Sequence, residues 1–396
     1  MRVAFVVPRY GDGIVGGAET LTRGLAEHLV ATGTPVEVLT TCARDHLTWK
    51  NVVPPGVSME GGVTVRRFPV KPRDEDTFAR LQRRILDGGR LAPEEEIRWA
   101  EESVSSPELF AHLVRHGAEH DLICFAPYLF GTTLGGVPLV ADRAVLIPCL
   151  HDETFAYLGV VRRTVEACRG FIFNSPPEAA LARKLYDIAD RPSGVVGLGF
   201  DPPPPVDAER FRRRHRLQGP LLLYLGRKET GKNVHLLIEY VRSYRATHRG
   251  DLTLVLAGDG PITAPAGTPG VRDLGYLDPA EKAAAYAATT VICQPSVNES
   301  FSIVLMEAWL AGKPALVHAR CAVTTHHAFG SGGGLAFEGF YAFAEALTLL
   351  LEDAGLRETL GAQGRAYVEA EYAWPVVTAR LRATLAQLCE ARPAAP

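Results

Sequence analysis

The sequence predicts an α/β protein with two domains, each built on a doubly wound parallel sheet. Short apolar runs alternate with longer helical patterns along the 396 residues, as expected for strands and helices that follow one another. Near the N-terminus, the apolar run Arg2–Val7 precedes a helical pattern over Ala18–Ala31 and a second apolar run, Pro35–Thr41. This order is a strand–helix–strand unit, the building block of parallel sheets. Four prolines, Pro202–Pro205, can join neither a helix interior nor a central strand, so they predict an interdomain hinge.

The first predicted domain covers residues 1–200. Its further strands are predicted at Val63–Phe68, Leu122–Ala126, Ala144–Pro148 and Gly170–Phe173. Residues 72–116 are instead charged and helical in pattern, so we interpret them as an insertion outside the sheet.

The second predicted domain covers residues 201–372, and residues 373–396 form a C-terminal helix and a tail that should fray. The predicted strands are Pro220–Leu225, Leu252–Ala257, Val291–Gln294 and Pro314–Val317. The predicted helices are one from about Lys232, Pro279–Ala287, Ser302–Ala311 and two near 340–352 and 355–371. In such folds ligands bind at the carboxyl ends of the strands, so we expect the two domains to face each other across a cleft.

Composition excludes several classes of function. The net charge of −3 argues against a protein that coats nucleic acid or an anionic membrane, because both need a basic surplus. The seven cysteines are an odd number without a Cys-x-x-Cys pair, which favours a reducing cytoplasm over a disulfide framework or a zinc site. The first apolar run ends at Pro8, too short for a signal peptide, and no apolar stretch reaches the length of a membrane span.

No pattern in the chain predicts a required metal. The acidic run Asp74-Glu75-Asp76 could be mistaken for a metal motif, but it lies in the charged insertion and is better interpreted as a solvated charge run. No other cluster of histidine, cysteine and carboxylate residues has ligand spacing. A Gly-x-Ser-x-Gly elbow and a phosphate-binding lysine motif are also absent from the sequence.

The stretch Asn298–Ala308 is the most informative part of the sequence. It follows a predicted strand and opens a helix, with Ser302 as a candidate N-cap that leaves the first helical amides facing an anion. Glu299 lies in the loop before the helix and Glu307 within it. Two carboxylates would repel a phosphate unless they bind something else, and sugar hydroxyls suit them. A capping glutamate and a solvated helix glutamate are the alternative interpretation.

Five segments of the chain are informative together. In chain order they are Gly16-Gly17-Ala18-Glu19, His151-Asp152, Gly226-Arg227-Lys228-Glu229-Thr230-Gly231-Lys232-Asn233, Gly258-Asp259-Gly260-Pro261 and, most telling, Glu-x7-Glu from Glu299 to Glu307. In this order and spacing they resemble the motifs of retaining GT-B glycosyltransferases of family 4, the group 1 glycosyltransferases. The resemblance implies two Rossmann-like domains, the first binding an acceptor and the second a nucleotide sugar. Family members commonly carry glycine where Ser300 and Ser302 stand, a departure that would alter the contacts of the donor sugar.

The resemblance also implies roles for the residues of these motifs. Arg227 and Lys232, in the loop opened by Gly226, would bind the donor diphosphate, where negative charge grows as the glycosidic bond breaks. Glu307 would bind the ribose hydroxyls and Glu299 the transferred sugar. The backbone amides of Phe301, Ser302 and Ile303 would add contacts to sugar and phosphate. Solvated surface cations are the alternative for the two basic residues.

In the first domain, Gly16 and Gly17 would let the backbone approach the diphosphate, unless they form only an ordinary strand-to-helix turn. His151 would lie beside the transferred sugar, with Asp152 either holding its tautomer or capping the next helix. The segment Tyr372-Ala373-Trp374-Pro375 resembles the family's crossing back to the first domain, so Trp374 should pack at the domain junction.

The expected activity is transfer of a sugar from a nucleoside-diphosphate sugar to a hydroxyl acceptor such as a bacterial glycan, a glycolipid or a natural product. The resemblance implies a retaining, front-face reaction without a metal or another cofactor. The expected partners are the donor and the acceptor, with no nucleic acid and at most peripheral membrane contact. Two alternatives remain: a nucleotide-sugar epimerase, and a binding scaffold without activity.

Overall fold

The computed structural model describes residues 1–14, 16–248, 251–265 and 267–391, and the chain divides into two compact units. Unit 1 contains Met1–Gly199 together with the segment that begins at Trp374. Unit 2 contains Phe200–Ala373. Residues 201–207, which include the four prolines, form neither a helix nor a strand. The frayed tail predicted for the last five residues lies outside the described residues.

Unit 1 is built on an eight-stranded sheet. In chain order its strands are β1 (Val3–Val6), β2 (Val36–Thr41), β3 (Gly56–Glu60), β4 (Val63–Phe68), β5 (Leu122–Phe125), β6 (Ala144–Leu146), β7 (Gly170–Phe173) and β8 (Ser193–Val195). Their order across the sheet is β3-β4-β2-β1-β5-β6-β7-β8, and every neighbouring pair is parallel except β3 with β4. The central strands are buried along their whole length because helices cover both faces.

Seven helices of unit 1 connect these strands. They are α1 (Gly17–Ala31), α2 (Glu75–Leu86), α3 (Pro93–Glu102), α4 (Pro107–His116), α5 (Gly131–Gly136), α6 (Gly159–Ala167) and α7 (Pro176–Leu185). The charged insertion thus forms α2, α3 and α4, whose apolar side chains, including Leu81, Trp99 and Leu109, join the main core of the unit. The acidic run opens α2, where the Asp74 carboxylate accepts the backbone N–H of Thr77 as an N-cap.

Unit 2 is built on a six-stranded parallel sheet. Its strands are β9 (Leu221–Leu225), β10 (Thr253–Ala257), β11 (Val271–Asp273), β12 (Val291–Gln294), β13 (Ala315–His318) and β14 (Gly334–Phe337), in the order β11-β10-β9-β12-β13-β14. Its helices are α8 (Ala208–His215), α9 (Val234–Thr247), α10 (Pro279–Ala288), α11 (Ile303–Leu310), α12 (Ala322–Ser331), α13 (Gly339–Glu352) and α14 (Ala354–Glu371). Because β9 and β12 are neighbours, the loops that follow them lie side by side at the carboxyl edge.

The last helix of the described chain, α15 (Trp374–Glu390), packs on unit 1. The Trp374 ring stacks on His28 of α1 with centroids 3.6 Å apart. Gly24 and Gly199 leave room for this ring, since a Cβ at either position would come within 2.4 Å of it. At the other end of α15, the Arg169 guanidinium donates to the carbonyl of Leu388 at 3.0 Å. In the described part of the chain, every helix is too short or too polar to cross a bilayer.

The predicted fold class is confirmed, since each unit is a Rossmann-like α/β domain on a parallel sheet. Four strands escaped the sequence analysis for physical reasons. Strand β3 is an exposed antiparallel edge without an apolar run, and β8 and β11 have only three residues each. Strand β14 follows a run of glycines that hides its apolar pattern.

Candidate functional site

The loop that follows β9, residues 226–233, is held by the loop that follows β10. Gly258 has a φ of +122°, and a Cβ there would lie 2.0 Å from the carbonyl oxygen of Gly226. A Cβ on Gly260 would likewise meet the backbone of Lys228 at 2.5 Å. Only glycine permits this approach. The Gly258-Asp259-Gly260 turn therefore packs directly on the backbone of the 226–233 loop and fixes its position.

Lys228, in the same loop, is 4 % exposed and forms a buried ion pair. Its Nζ donates to both carboxylate oxygens of Asp273 at 2.7 and 2.8 Å. Asp273 Oδ1 also accepts the N–H of Gly275 at 3.0 Å, and Gly258 donates to the Gly275 carbonyl at 2.7 Å. Lys228 thus ties the loops after β9, β10 and β11 together.

Lys232 meets Glu299 at the adjacent carboxyl ends of β9 and β12. Its Nζ donates to Oε1 of Glu299 at 2.7 Å and to the carbonyl of Asn298 at 3.3 Å. The Nε2 of Gln294 donates to the same carboxylate oxygen at 3.0 Å. The Lys232 and Glu299 side chains are 18 % and 11 % exposed, so the pair is partly desolvated and its electrostatic interactions are stronger than at an open surface.

The helix α11 begins beside this pair. Its N-cap, Ser302, adopts a left-handed conformation with a φ of +72°, and its side chain does not cap the helix. The amides of the first turn, including that of Ile303, have no intrahelical acceptor and carry the positive end of the helix dipole. Phe301 is 5 % exposed and packs among Phe200, His327 and Tyr372. The Phe301 side chain therefore anchors the loop, and only its backbone can serve a ligand.

Glu307, one turn further along α11, faces helix α10. Its Oε1 accepts Nζ of Lys282 at 2.5 Å, and its Oε2 accepts the hydroxyl of Tyr286 at 2.8 Å. Burial, together with the nearby Glu307 charge, raises the pKa of Tyr286 well above its usual value, so this phenol remains a hydrogen-bond donor. The Glu307 carboxylate is 22 % exposed and is held in one orientation by both partners.

Arg227 is the most open of the predicted site residues. Its side chain is 59 % exposed, and a guanidinium nitrogen lies 3.1 Å from Oε1 of Glu229. The carbonyl of Arg227 accepts the hydroxyl of the buried Tyr224 at 2.6 Å, which fixes the backbone and leaves the guanidinium free to reorient.

In unit 1, Gly16 and Gly17 lie between β1 and α1. A Cβ on Gly16 would lie 2.2 Å from Oε2 of Glu19, whose Oε1 accepts two N–H groups of the buried Arg9 at 2.6 and 2.9 Å. Gly16 therefore leaves room for the Glu19 carboxylate of this ion pair. A Cβ on Gly17 would meet no atom within 4 Å. No protein contact in the described structure explains this second glycine.

His151 follows β6 and is half-enclosed. Its Nδ1 lies 3.8 Å from Oε1 of Glu153, and the hydroxyl of Tyr128 donates to that same oxygen at 2.8 Å. Asp152 accepts the hydroxyl of Tyr157 at 2.7 Å, so the carboxylate that lies beside the imidazole is that of Glu153. The carboxylate groups of this region form no metal cluster: within the described residues, no three ligating side chains come together.

The segment that carries these loops matches a known protein family. Residues 205–367, which contain the 226–233 loop and both glutamates, match the family model described as glycosyl transferases group 1. This segment of the chain is therefore similar to the group 1 glycosyltransferases.

Relatives that are named as glycosyltransferases align with almost the whole length of the chain. It is 27 % identical to the D-inositol 3-phosphate glycosyltransferase of Xylanimonas cellulosilytica over 97 % of this chain and 94 % of that protein. It is 26 % identical to the phosphatidyl-myo-inositol mannosyltransferase of Mycobacterium leprae over 96 % and 95 % of the two chains.

Solved structures agree on the fold. Anabaena HepE in complex with UDP and glucose matches with a TM-score of 0.72 at 18 % identity, over 98 % of this chain and 99 % of that one. Sucrose-phosphate synthase from Thermosynechococcus elongatus matches with a TM-score of 0.70 at 20 % identity, over 98 % of each chain. These neighbours are GT-B glycosyltransferases, so the chain has the GT-B fold that its motifs predict.

Sequence reasoning missed the partners of the motif residues. Lys282, Tyr286 and Gln294 hold the two glutamates but lie outside every motif. One signal was available, because the chain has only seven lysines and three of them, Lys228, Lys232 and Lys282, occupy this region. The carboxylate with which each lysine forms an ion pair is determined by the tertiary fold.

Proposed function

We propose that this glycosyltransferase is a retaining enzyme of family 4 that transfers a sugar from a nucleoside-diphosphate sugar to a hydroxyl acceptor. The observation that carries the proposal is the Lys232–Glu299 pair beside the first turn of α11. A cation and helix amides suit the leaving diphosphate, while an adjacent carboxylate suits sugar hydroxyls. The titles of structural neighbours that hold UDP with glucose, or UDP-glucose, support a nucleotide-sugar donor.

Lys232 opposes the charge that develops on the leaving group. An ammonium has three N–H donors, and Glu299 with Asn298 accept two of them, which leaves one for a phosphate oxygen. Arg227 has the exposed, planar guanidinium that can take a second phosphate oxygen when the donor binds. Because the diphosphate gains charge as the glycosidic bond breaks, both cations stabilise the transition state more than the bound donor.

The two glutamates hold the sugars at either end of the donor. Glu299, oriented by hydrogen bonds from Lys232 and Gln294, accepts hydroxyls of the transferred sugar. Each oxygen of Glu307 accepts one protein donor and retains a lone pair for a ribose hydroxyl. The backbone amides of Phe301, Ser302 and Ile303 contact sugar and phosphate.

The reaction needs no protein nucleophile. The bond from the anomeric carbon to the phosphate oxygen breaks while the acceptor oxygen bonds to that carbon on the same face. The departing phosphate oxygen takes the acceptor proton. Lys232 and the α11 amides supply the positive charge that a metal would otherwise provide, so no divalent cation is required.

For unit 1 we propose acceptor binding, together with roles for His151, Gly16 and Gly17. His151, beside Glu153, hydrogen-bonds a hydroxyl of the transferred sugar. Gly17, whose missing side chain no protein contact explains, leaves its backbone open to phosphate, and Gly16 adjoins it. The names of the relatives point to inositol-containing acceptors, which supports an acceptor rich in hydroxyls.

A cytoplasmic location completes the proposal. All seven cysteines are free, as a reducing compartment requires. No nucleic acid is expected as a partner, and contact with a membrane is peripheral at most.

A donor screen tests the proposed function. UDP-, GDP- and dTDP-sugars are compared for thermal stabilisation, since binding to the native state raises the melting temperature. The stabilising donor is then incubated with and without polyol acceptors, and the anomeric configuration of the product is read by NMR. We expect turnover that depends on the acceptor and a retained configuration. An inverted product, or rearrangement of the donor alone, would contradict the proposal.

A further inference from the structure

The loop that carries His151 is held in a conformation that a non-glycine residue adopts rarely. Cys149, two residues before the histidine, has a φ of +51°. Left-handed backbone at a residue with a side chain costs energy and persists only where neighbouring groups fix it. Something in unit 1 must therefore hold residues 149–151 in place.

The group that holds this loop is the carboxylate of Glu178, which is 1 % exposed. Its Oε1 accepts the backbone N–H of Leu150, between Cys149 and His151, at 2.7 Å. Its Oε2 accepts the N–H of Asn174 at 2.5 Å, and Nδ2 of Asn174 lies 3.3 Å from Oε1. The same Nδ2 lies 3.7 Å from the sulfur of Cys149. The carboxylate thus joins the loop after β6 to the end of β7.

Glu178 also occupies a position where a purely structural role is common. It is the fourth residue of the Ser175-Pro176-Pro177-Glu178 run, and the Ser175 hydroxyl accepts its N–H at 3.3 Å, as in a capping box. A capping box explains the hydrogen bond from the Ser175 backbone. It does not explain the hydrogen bond from Leu150, which comes from a different loop.

A carboxylate suits this position better than an amide does. The donors around Glu178 are neutral N–H groups on both of its oxygens, and only a carboxylate accepts on both sides. Burial raises the pKa of Glu178 to about 8 despite these bonds, so acceptance as a carboxylate on both oxygens is complete only above that pH. The effect of losing it is therefore read at alkaline pH.

We propose that Glu178 is a positioning residue of this glycosyltransferase, which acts by fixing the Cys149–His151 loop so that the imidazole meets the transferred sugar. This inference rests on the role proposed above for His151. Glu178 touches neither donor nor acceptor, and its effect passes through the N–H of Leu150.

A double-mutant cycle tests the inference. Glu178→Gln is isosteric but turns an NH₂ group toward one of the N–H donors, so the loop should shift. We expect kcat, measured at about pH 9 where Glu178 is ionised, to fall about tenfold or more, the scale for losing a hydrogen bond to a charged group. The dissociation constant for the nucleoside diphosphate should stay within about twofold, because its proposed binding residues are mainly in unit 2. Added to His151→Ala, the Glu178→Gln change should lower kcat no further, since both act through one imidazole.

Glu37→Gln is the matched control. Glu37 lies on strand β2, apart from the His151 loop, and is also buried, at 4 % exposure. Its carboxylate is hydrogen-bonded to the side chains of Arg66 and His120. This variant should lose stability yet keep its kcat, measured below its melting temperature. If Glu178→Gln folds poorly, Asn174→Ala removes the side chain that bridges Glu178 and Cys149 and should lower kcat about threefold or more.

The outcomes separate the inference from the proposed function. A normal kcat in Glu178→Gln, or a loss that adds in full to that of His151→Ala, overturns the positioning role. Neither result bears on the proposed role of Lys232 at the donor diphosphate, which a Lys232→Ala variant tests separately. A normal kcat in His151→Ala overturns both the inference and the role proposed for that histidine.

Discussion

Lys228 and Lys232 lie four residues apart in one loop, and each forms an ion pair, with Asp273 and Glu299 respectively. The two ion pairs differ in burial and in what they hold. Lys228 is the more buried and donates to both oxygens of Asp273, which joins three loops. Lys232 gives one bond to Glu299 and one to a backbone carbonyl, at the mouth of helix α11. The comparison separates a lysine that builds the loop from a lysine that we propose to meet the ligand.

The largest effect should come from removing the lysine that meets the ligand. Lys232→Ala should lower kcat about a hundredfold or more, because a preorganised positive charge opposite the leaving group is lost. Donor affinity should fall less than kcat. Steady-state kinetics at saturating donor measure both quantities, and a normal kcat would show that Lys232, like Lys228, serves only the structure.

The second glutamate extends the comparison to ground-state binding. The ribose contact proposed for Glu307 is equal in the ground state and the transition state, so Glu307→Ala should weaken donor binding and spare kcat. The dissociation constant should rise roughly ten- to hundredfold, as for loss of a charge-assisted hydrogen bond. Titration calorimetry with the donor nucleotide measures it. Unchanged affinity would leave Glu307 as a partner of Lys282 and Tyr286 alone.

Removing the structural lysine should act on stability first. Lys228→Met leaves Asp273 without its cation, and we expect a loss of about 2 kcal/mol, less than for a fully buried pair because Asp273 is 24 % exposed. The double variant Lys228→Met/Asp273→Leu should recover most of this loss. Urea unfolding compares the three proteins. A single variant as stable as the wild type would contradict the assignment of Lys228 as the residue that joins the loops.

A smaller effect concerns pH. The pKa of Glu178 is raised from 4.5 to about 8 by burial, so the folded chain keeps a proton that the unfolded chain releases. This contribution to stability is complete below about pH 4.5 and is lost as the pH rises through about 8. Burial lowers the pKa values of His112 and His327 to about 4 and about 3. Both imidazoles are therefore neutral in the folded protein in the upper part of the range from about pH 4.5 to about pH 8.

The measurement is the free energy of unfolding from about pH 6.5 to pH 9, for the wild type and Glu178→Gln. The wild type should lose stability across this range, and the variant should lose less. Parallel curves for the two proteins would show that Glu178 does not titrate there.

The sequence predicted the sheets because central strands in a parallel sheet are buried on both faces and appear as apolar runs, as in β1 and β12. It also located the motif residues, since the loops after β9 and β12 carry them in a fixed order. It did not predict that Lys232 meets Glu299 or that Lys282 meets Glu307, because these contacts span 67 and 25 residues and depend on the packing of neighbouring loops. Glu178 was overlooked because a Ser-x-x-Glu run is typical of any helix start.

The central claim is that a protein cation, and not a metal, opposes the charge of the leaving diphosphate. Turnover of the wild-type enzyme in excess EDTA tests it most directly, with Mg²⁺ or Mn²⁺ added back in a parallel reaction. We predict the same kcat in EDTA and after addition of either metal. Activity that disappears in EDTA and returns with Mg²⁺ or Mn²⁺ would contradict the role assigned to Lys232 and the α11 amides.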